Sequence, residues 1–253
     1  MYKMMQVLVV VLVSLFVVSC ASGDKRPVNM ELTNAANTGD LDKIKKMVEE
    51  DGADVNSIDR KGYSTLHHAS NKGYLDIVNY LNEKSVNVKT EDSGKAHPLH
   101  HAAYMGHIDI VRQLVESGSD VNSMTEKGFT PVERASYRGH IDVVKYLVAK
   151  GADESIATVS GDTPLHMAAF AGHVEIVKFF ATRDKFDVNV VETRGYTALH
   201  YAAFKNRQDV VAVLLENGAD ATIASADGIT ALQLAERTKN AALISMIKSK
   251  IAE

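Results

Sequence analysis

Apolar residues recur along this chain with a fixed period. The strongest hydrophobic positions lie 33 or 34 residues apart, at Leu32, Leu66, Leu99, Val132, Leu165, Leu199 and Leu232. A unit of this length cannot bury its apolar face alone, so it is stable only when stacked on its neighbours. The period therefore predicts an elongated solenoid with a long exposed surface.

Each unit contains two helical patterns. The second half of a unit places apolar residues three and four positions apart, as in Ile108, Val111, Leu114 and Val115. The first half opens in two units on a Thr-Pro step, Thr130-Pro131 and Thr163-Pro164. Threonine caps an exposed backbone N–H there, and proline is tolerated as the first helical residue. The pattern predicts two helices per unit, with one apolar stripe facing the stack.

Glycines mark the turns between these helices. All but Gly23 fall in three columns of the repeat, one before the first helix and one after each helix, where a left-handed residue is needed. The columns contain Gly62, Gly128, Gly161, Gly195 and Gly228, with Gly94 one position early; Gly39, Gly73, Gly106, Gly139 and Gly172; and Gly52, Gly118, Gly151 and Gly218. Each unit is predicted to be turn, helix, helix.

Two segments carry a family resemblance. TPLHMAAFAGHVEIVKFF, from Thr163, and HPLHHAAYMGHIDIVRQLVESGSDVN, from His97, resemble the ankyrin repeat family, which has this period and a T-P-L-H-x-A signature. The resemblance covers residues 29–253. It implies an all-α, ankyrin-repeat α-solenoid of about seven helix-turn-helix units with short turn or hairpin tips. The units, including capping repeats at both ends, start near residues 29, 62, 95, 128, 161, 195 and 228.

Some positions depart from the family pattern. Ser85 and Lys95 stand where glycines are expected, Glu133 replaces the signature histidine, and His97 precedes Pro98 in place of threonine. One residue is inserted near position 51 and another near position 184. We expect the weakest coupling between neighbours around the Leu66 and Leu99 units.

Residues 1–19 are predicted to be a signal peptide. Lys3 precedes an apolar run, residues 4–18, that is short for a membrane span. The run ends at Val17-Val18-Ser19-Cys20, similar to the bacterial lipobox, in which the cysteine becomes the lipidated N-terminus. Residues 20–28 would then be a tether. A plain signal peptide with a chance cysteine, giving a soluble secreted or periplasmic protein, is the alternative.

Composition excludes several function classes. The chain is 45% apolar and 24% charged with a net charge of −4, so it has no basic excess for nucleic acid. Cys20 is the single cysteine, which rules out an intramolecular disulfide. Motifs of hydrolases, metalloproteases and nucleotide-binding enzymes are missing from the sequence. We expect a non-enzymatic monomer with no catalytic residues, no metal and no cofactor.

Several histidines are candidate metal ligands, which gives an alternative function. The signature positions His67, His100, His166 and His200 are implied by the resemblance to form hydrogen bonds within the framework. His97 and His101 are four residues apart, a spacing that can place two imidazoles on one metal ion, with Asp92 as the nearest carboxylate. The framework interpretation is favoured. Histidine-dependent binding of a metal or small ligand, or hydrolysis, stays open.

The resemblance implies a concave binding face made of the turn tips and the ends of the first helices. Four consecutive units end their first helix on an aromatic residue or close to one. The candidate partner-binding residues are Arg60, Tyr63, Lys72, Tyr104, Met105, Phe129, Tyr137, Arg138, Phe170, Arg194, Tyr196, Phe204 and Lys205. Aromatic and arginine side chains dominate binding hot spots. The same aromatic residues could instead pack between units.

Lysine and arginine give this face a cationic bias in an acidic protein, which favours a protein partner with an acidic segment. The sequence thus predicts a lipid-anchored protein–protein interaction scaffold of the bacterial cell envelope. Ala21 after the cysteine favours, by resemblance to Gram-negative sorting, the outer membrane with the repeats facing the periplasm. A surface lipoprotein that contacts host molecules is a further possibility.

Overall fold

The computed structural model describes residues 26–183 and 186–252, which form fourteen helices in seven pairs. The first helices of the pairs are α1 (Arg26–Thr38), α3 (Thr65–Lys72), α5 (Pro98–Met105), α7 (Pro131–Arg138), α9 (Pro164–Ala171), α11 (Ala198–Phe204) and α13 (Ala231–Thr238). The second helices are α2 (Leu41–Glu49), α4 (Leu75–Glu83), α6 (Ile108–Glu116), α8 (Ile141–Ala149), α10 (Val174–Ala181), α12 (Gln208–Glu216) and α14 (Ala241–Ile251). None of the described residues belongs to a strand. The predicted all-α solenoid of helix pairs is confirmed.

The first helices stack more closely than the second helices along most of the solenoid. Their contact faces carry small residues such as Ala102, Ala103 and Ala135, all fully buried, which let neighbouring helices approach. The second helices bury larger side chains, among them Ile110 and Leu114. Closer spacing on one side curves the stack, so the first helices and the turn tips line the concave face.

The helix starts follow the sequence prediction. Thr130 and Thr163 are N-cap residues, and the proline after each is the first helical residue. The Thr130 hydroxyl accepts the Glu133 N–H. At both helix starts the side chain three residues on bonds back to the N-cap residue, because Glu133 Oε2 accepts the Thr130 N–H and His166 Nδ1 accepts the Thr163 N–H. The His97 side chain makes no capping hydrogen bond, as expected of a weaker cap.

The turn tips are joined in a ladder. The Val159 N–H donates to the Lys127 carbonyl at 3.0 Å, and the Ala226 N–H donates to the Arg194 carbonyl at 2.8 Å. A Cβ at Gly128, which has φ +79°, would lie 2.9 Å from the Val159 nitrogen. Glycine is needed there both for the left-handed backbone and for the close approach of the next tip.

Within residues 26–183 and 186–252, four residues other than glycine also adopt positive φ. Ser85 and Lys95, both at φ +57°, take the left-handed conformation expected from their columns. Asn206 and Lys239 do the same after α11 and α13, which the sequence analysis did not anticipate. Their positions match the glycine that follows the first helix in the other repeats.

The N-terminal end of the solenoid begins earlier than expected. Helix α1 starts at Arg26, inside the segment 20–28 predicted to be a tether, and Val28 packs against the core. The predicted signal peptide 1–19, the predicted lipidation site Cys20 and the inserted residue expected near position 184 lie outside the described residues. Across the part that is described, no helix has the length and apolar character to cross a membrane.

Candidate partner-binding face

Four aromatic side chains mark successive first helices on the concave face. Tyr137 and Phe204 expose 40% and 53% of their surface, whereas Tyr104 and Phe170 are half-buried. Tyr137 and Phe204 can therefore contact a partner directly. Tyr104 and Phe170 also pack within the stack, so the packing interpretation applies to them in part.

Cations from the following repeat cover the half-buried rings. The Arg138 guanidinium lies 4.8 Å from the centroid of the Tyr104 ring. Lys205 Nζ lies 4.3 Å from the centroid of Phe170 and 5.3 Å from that of Phe204. These distances are in the range of cation–π attraction. The rings thus hold Arg138 and Lys205 in place while both side chains remain exposed.

One groove brings four predicted residues together. A cavity of about 270 Å³ is lined by Tyr137, Arg138, Phe170, Ala171, His173, Lys205 and Arg207. Three of these side chains are cationic, two are aromatic, and none is a carboxylate. We call this cavity the central groove. Its lining fits a negatively charged ligand that also offers apolar surface.

The remaining predicted residues lie along the same face but outside that groove. Phe129 is half-buried beneath the Arg134 guanidinium at 4.6 Å, and the Arg194 guanidinium lies 5.1 Å from the Tyr196 centroid. Arg60, Lys72 and Met105 are exposed in the first three pairs, and Tyr63 is half-buried among histidines.

Two contributors to the face were missed by the sequence analysis. Arg134 lies between the rings of Tyr104 and Phe129, at 5.8 and 4.6 Å. Tyr201 packs edge-on against Phe170 at 5.8 Å, and its hydroxyl is 3.5 Å from Arg194 Nη2. Both residues directly follow the signature position on their helix. The residue at this position of the repeat differs along the chain, from His68 to Tyr201. This variation was the signal in the sequence that could have pointed to Arg134 and Tyr201 as part of the face.

The signature histidines form the framework that the resemblance implied. In His67, Nδ1 accepts the Ser64 N–H at 3.1 Å and Nε2 donates to the Ala96 carbonyl at 2.9 Å, which links one repeat to the next tip. His200 bonds to Thr197 and to the Ile229 carbonyl in the same way. Burial lowers the pKa of His67 to about 4, so this imidazole is neutral at physiological pH.

Histidine–carboxylate pairs occupy the tips of the second and third repeats. His68 Nε2 is 3.1 Å from Asp59 Oδ2, and His101 Nε2 is 2.9 Å from Asp92 Oδ2. Burial acts to raise the pKa of Asp92, but hydrogen bonds from the Ala96 N–H and from His101 hold it below its ordinary value. Asp92 is therefore ionised and orients the His101 ring.

A set of three possible metal ligands lies here. Ligand atoms of His67, Asp92 and His101 are within 4.8 Å of one another, and His97 is not part of the set. However, both ring nitrogens of His67 are already engaged, and Asp92 Oδ1 accepts the N–H groups of Gly94 and Ala96. A metal ion would have to break this network, so the donor set fits a structural role better than a metal site.

A larger cavity lies in the loops on the side of the second helices. It measures about 730 Å³, and its lining includes Asp153, Glu154, Arg183 and Asp187. Arg183 Nε and Glu154 Oε1 form an ion pair at 2.6 Å within it. Among the described residues that line it there is no candidate partner-binding residue.

Comparison with known proteins decides the family. Family models for ankyrin repeats match three overlapping stretches, residues 32–125, 86–158 and 134–225. This chain belongs to the ankyrin repeat family. The predicted family is therefore confirmed for the solenoid, an architecture that offers an extended concave surface for binding. Ankyrin repeats are interaction modules, generally without enzymatic activity, which suggests a protein–protein interaction scaffold.

Individual relatives match only part of this ankyrin repeat protein. Ankyrin repeat protein 14 of vaccinia virus is 39% identical over 62 residues, which are 24% of this chain and 26% of the viral protein. An ankyrin repeat protein of Rickettsia felis is 38% identical over 61 residues, 24% of this chain and 95% of that protein. The chain spans only 9% of the cowpox virus relative it matches, at 39% identity over 62 residues.

Proposed function

We propose that this ankyrin repeat protein is a lipid-anchored scaffold of the bacterial cell envelope that binds an acidic segment of a partner protein in the central groove. The observation that carries the proposal is the alternation of rings and cations, Tyr104, Arg138, Phe170 and Lys205, beside a groove whose described lining residues include no carboxylate. The groove is cationic although the chain has a net charge of −4.

Physical chemistry supports this assignment in three ways. Aromatic residues and arginine supply most of the binding free energy at protein interfaces. Charge complementarity speeds encounter and selects among partners. Because the Tyr104 and Phe170 rings hold Arg138 and Lys205, less side-chain entropy is lost when these cations bind a carboxylate.

The groove is tested by comparing partner recovery from envelope extracts. Changing Tyr104, Tyr137, Phe170 and Phe204 together to Ala should abolish recovery. Because two of these rings pack within the stack, a second variant, Arg138→Glu with Lys205→Glu, removes the charge pattern and leaves the rings. Circular dichroism checks folding in both cases. Recovery of the same partners by the wild type and by folded forms of both variants would exclude the groove as the binding site.

The anchor is tested at Cys20. Several acyl chains on one residue should hold the protein firmly, because each buried methylene adds roughly 0.8 kcal/mol. Cys20→Ser should eliminate palmitate labelling and partitioning into the detergent phase, with the repeats still folded. Density-gradient separation of membranes then tests the proposed outer-membrane location, and protease treatment of intact cells tests whether the repeats face the periplasm or the exterior. A soluble mature wild-type protein that begins beyond Cys20 would contradict the anchor.

Histidine-dependent metal binding is the alternative that the set of His67, Asp92 and His101 offers. A metal ion that binds only the folded state raises the melting temperature. Because the ring nitrogens of His67 are already engaged, zinc should leave the melting temperature of the wild type unchanged. A rise with zinc that His101→Ala removes would favour the metal-binding alternative.

A further inference from the structure

A second cavity of the concave face lies between α11 and α13, one repeat beyond the central groove. It measures about 240 Å³ and is lined by Arg194, Tyr196, His200, Tyr201, Phe204, Leu234 and Arg237. We call it the C-terminal pocket. It combines apolar walls with two guanidinium groups.

The walls suit one bulky apolar side chain. The exposed Phe204 ring, Tyr196 and the buried Leu234 supply apolar surface on three sides. Tyr201 packs against Tyr196 with ring centroids 6.1 Å apart, which keeps both rings in place. Pockets for drug-sized molecules usually measure about 300–1,000 Å³. At about 240 Å³ the pocket is better matched to a single side chain than to such a molecule.

The two arginines, Arg194 and Arg237, differ in the contacts that their side chains already make. Arg194 lies over Tyr196, and its Nε is 3.5 Å from Glu192 Oε2. The Glu192 carboxylate is itself buried and accepts the N–H groups of Arg194 and Tyr196. By contrast, the exposed Arg237 side chain has no hydrogen bond, ion pair or ring contact within residues 26–183 and 186–252. Arg237 therefore offers a full positive charge and all its donors at the edge of an apolar cavity.

We propose that the C-terminal pocket reads the partner's acidic segment by taking one bulky apolar side chain against Phe204, Tyr196 and Leu234 while Arg237 pairs with a neighbouring carboxylate. The proposal rests on the proposed function and specifies its ligand: an acidic sequence that contains a Phe, Leu or similar residue beside Asp or Glu. The central groove would hold the other carboxylates of the same segment, because Lys205 contacts the rings of both Phe170 and Phe204.

A peptide library displayed on phage tests this directly with the protein containing residues 20–253. Selection on the wild type should enrich peptides that place Asp or Glu next to a bulky apolar residue. The enriched peptide, synthesised with a fluorescent label, should bind Arg237→Glu and Phe204→Ala at least about 10-fold more weakly than the wild type, the effect of losing a hot-spot contact. Lys145→Glu, the same charge change on α8, should bind like the wild type.

The outcomes separate the two proposals. Peptides without acidic residues, or peptides whose affinity is unchanged by Arg237→Glu and Phe204→Ala, would overturn the C-terminal pocket as the reading site. If the variant with Arg138→Glu and Lys205→Glu still bound those peptides more weakly than the wild type, the central groove would be supported as a binding site and the C-terminal pocket would not. If no peptide were enriched and partner recovery did not depend on the groove, both proposals would fail.

Discussion

Glu133 occupies a position that histidine fills in four other repeats. Its Oε2 accepts the Thr130 N–H at 2.6 Å and the Thr130 hydroxyl at 3.0 Å, as Nδ1 of His67, His166 and His200 does in those repeats. Its Oε1 is buried with no hydrogen-bond partner among the described residues. Burial, together with the charge of Asp162, raises the pKa of Glu133 to about 8, so the side chain is mostly protonated at neutral pH.

A pH-dependent stability follows from this carboxyl group. Its pKa rises from 4.5 to about 8 on folding, so the folded state binds more protons between these values and stability falls as pH rises through that window. Glu133→Gln, which cannot ionise, should reduce this fall and at about pH 9 be more stable than the wild type by roughly 1–3 kcal/mol. Urea denaturation at several pH values measures the free energy of unfolding of both proteins. Glu126→Gln, an exposed control, should keep the wild-type slope, and an unchanged slope in Glu133→Gln would contradict the assignment.

The backbone conformation and capping role of a single residue could be predicted where its position in the repeat determines them. The left-handed Ser85 and Lys95 follow from their glycine columns, and the Thr130 cap depends on a partner three positions away. The roles of Arg134 and Tyr201 were not predictable in this way. Their ring contacts depend on side-chain directions across neighbouring repeats, and the period does not specify these.

At the scale of helices, a histidine after the first-helix glycine joins neighbouring pairs. His140 Nε2 donates to the Tyr104 carbonyl at 3.0 Å, and His173 Nε2 donates to the Tyr137 carbonyl at 3.0 Å. Each imidazole therefore covers the end of the preceding first helix, beside the aromatic residue that lies there, Tyr104 or Tyr137. Histidine recurs at this position of the repeat, and the structure shows that it satisfies a helix-terminal carbonyl of the preceding pair.

Alanine substitutions at two glycines distinguish the cost of backbone strain from the cost of disturbing this packing. A Cβ at Gly106, φ +78°, would lie 2.4 Å from His140 Nδ1, whereas at Gly118, φ +90°, it would meet nothing within 4 Å. Gly118→Ala should lower the free energy of unfolding by about 1–2 kcal/mol through backbone strain alone. Gly106→Ala should lower it by roughly 1 kcal/mol more, because His140 must move and lose its hydrogen bond. Equal losses in urea denaturation would contradict the packing role of His140.

Coupling between helix pairs should be weakest toward the N-terminal end. Ser85 and Lys95 each adopt a left-handed conformation that costs about 1–2 kcal/mol without glycine, and His97 provides no side-chain cap. In native-state hydrogen exchange, amides of residues 30–90 should exchange faster than those of residues 130–215. Ser85→Gly should reduce the difference. Equal protection along the wild-type solenoid would show that these departures do not weaken the stack.

On the scale of the whole molecule, the fold was predictable because one period repeats seven times, and every repeat places its helices and turns at corresponding positions. The candidate face was predictable only as a set of positions. The sequence placed Tyr137, Phe170 and Lys205 on one side, but it did not show that cations from one repeat cover the rings of the preceding one. The C-terminal pocket likewise depends on residues of α11, of α13 and of the tip before α11 coming together, which the period does not specify.

Site-specific crosslinking in the producing cells tests most directly whether the concave face binds a partner. A benzoylphenylalanine residue introduced at Phe204 would lie on the concave face, and one introduced at Lys145 would lie on the outer helix α8. We predict discrete adducts with another protein from position 204, none from position 145, and loss of the adducts when Arg138 and Lys205 are changed to Glu. The same adducts from both positions, or adducts from position 145 alone, would contradict partner binding on the concave face.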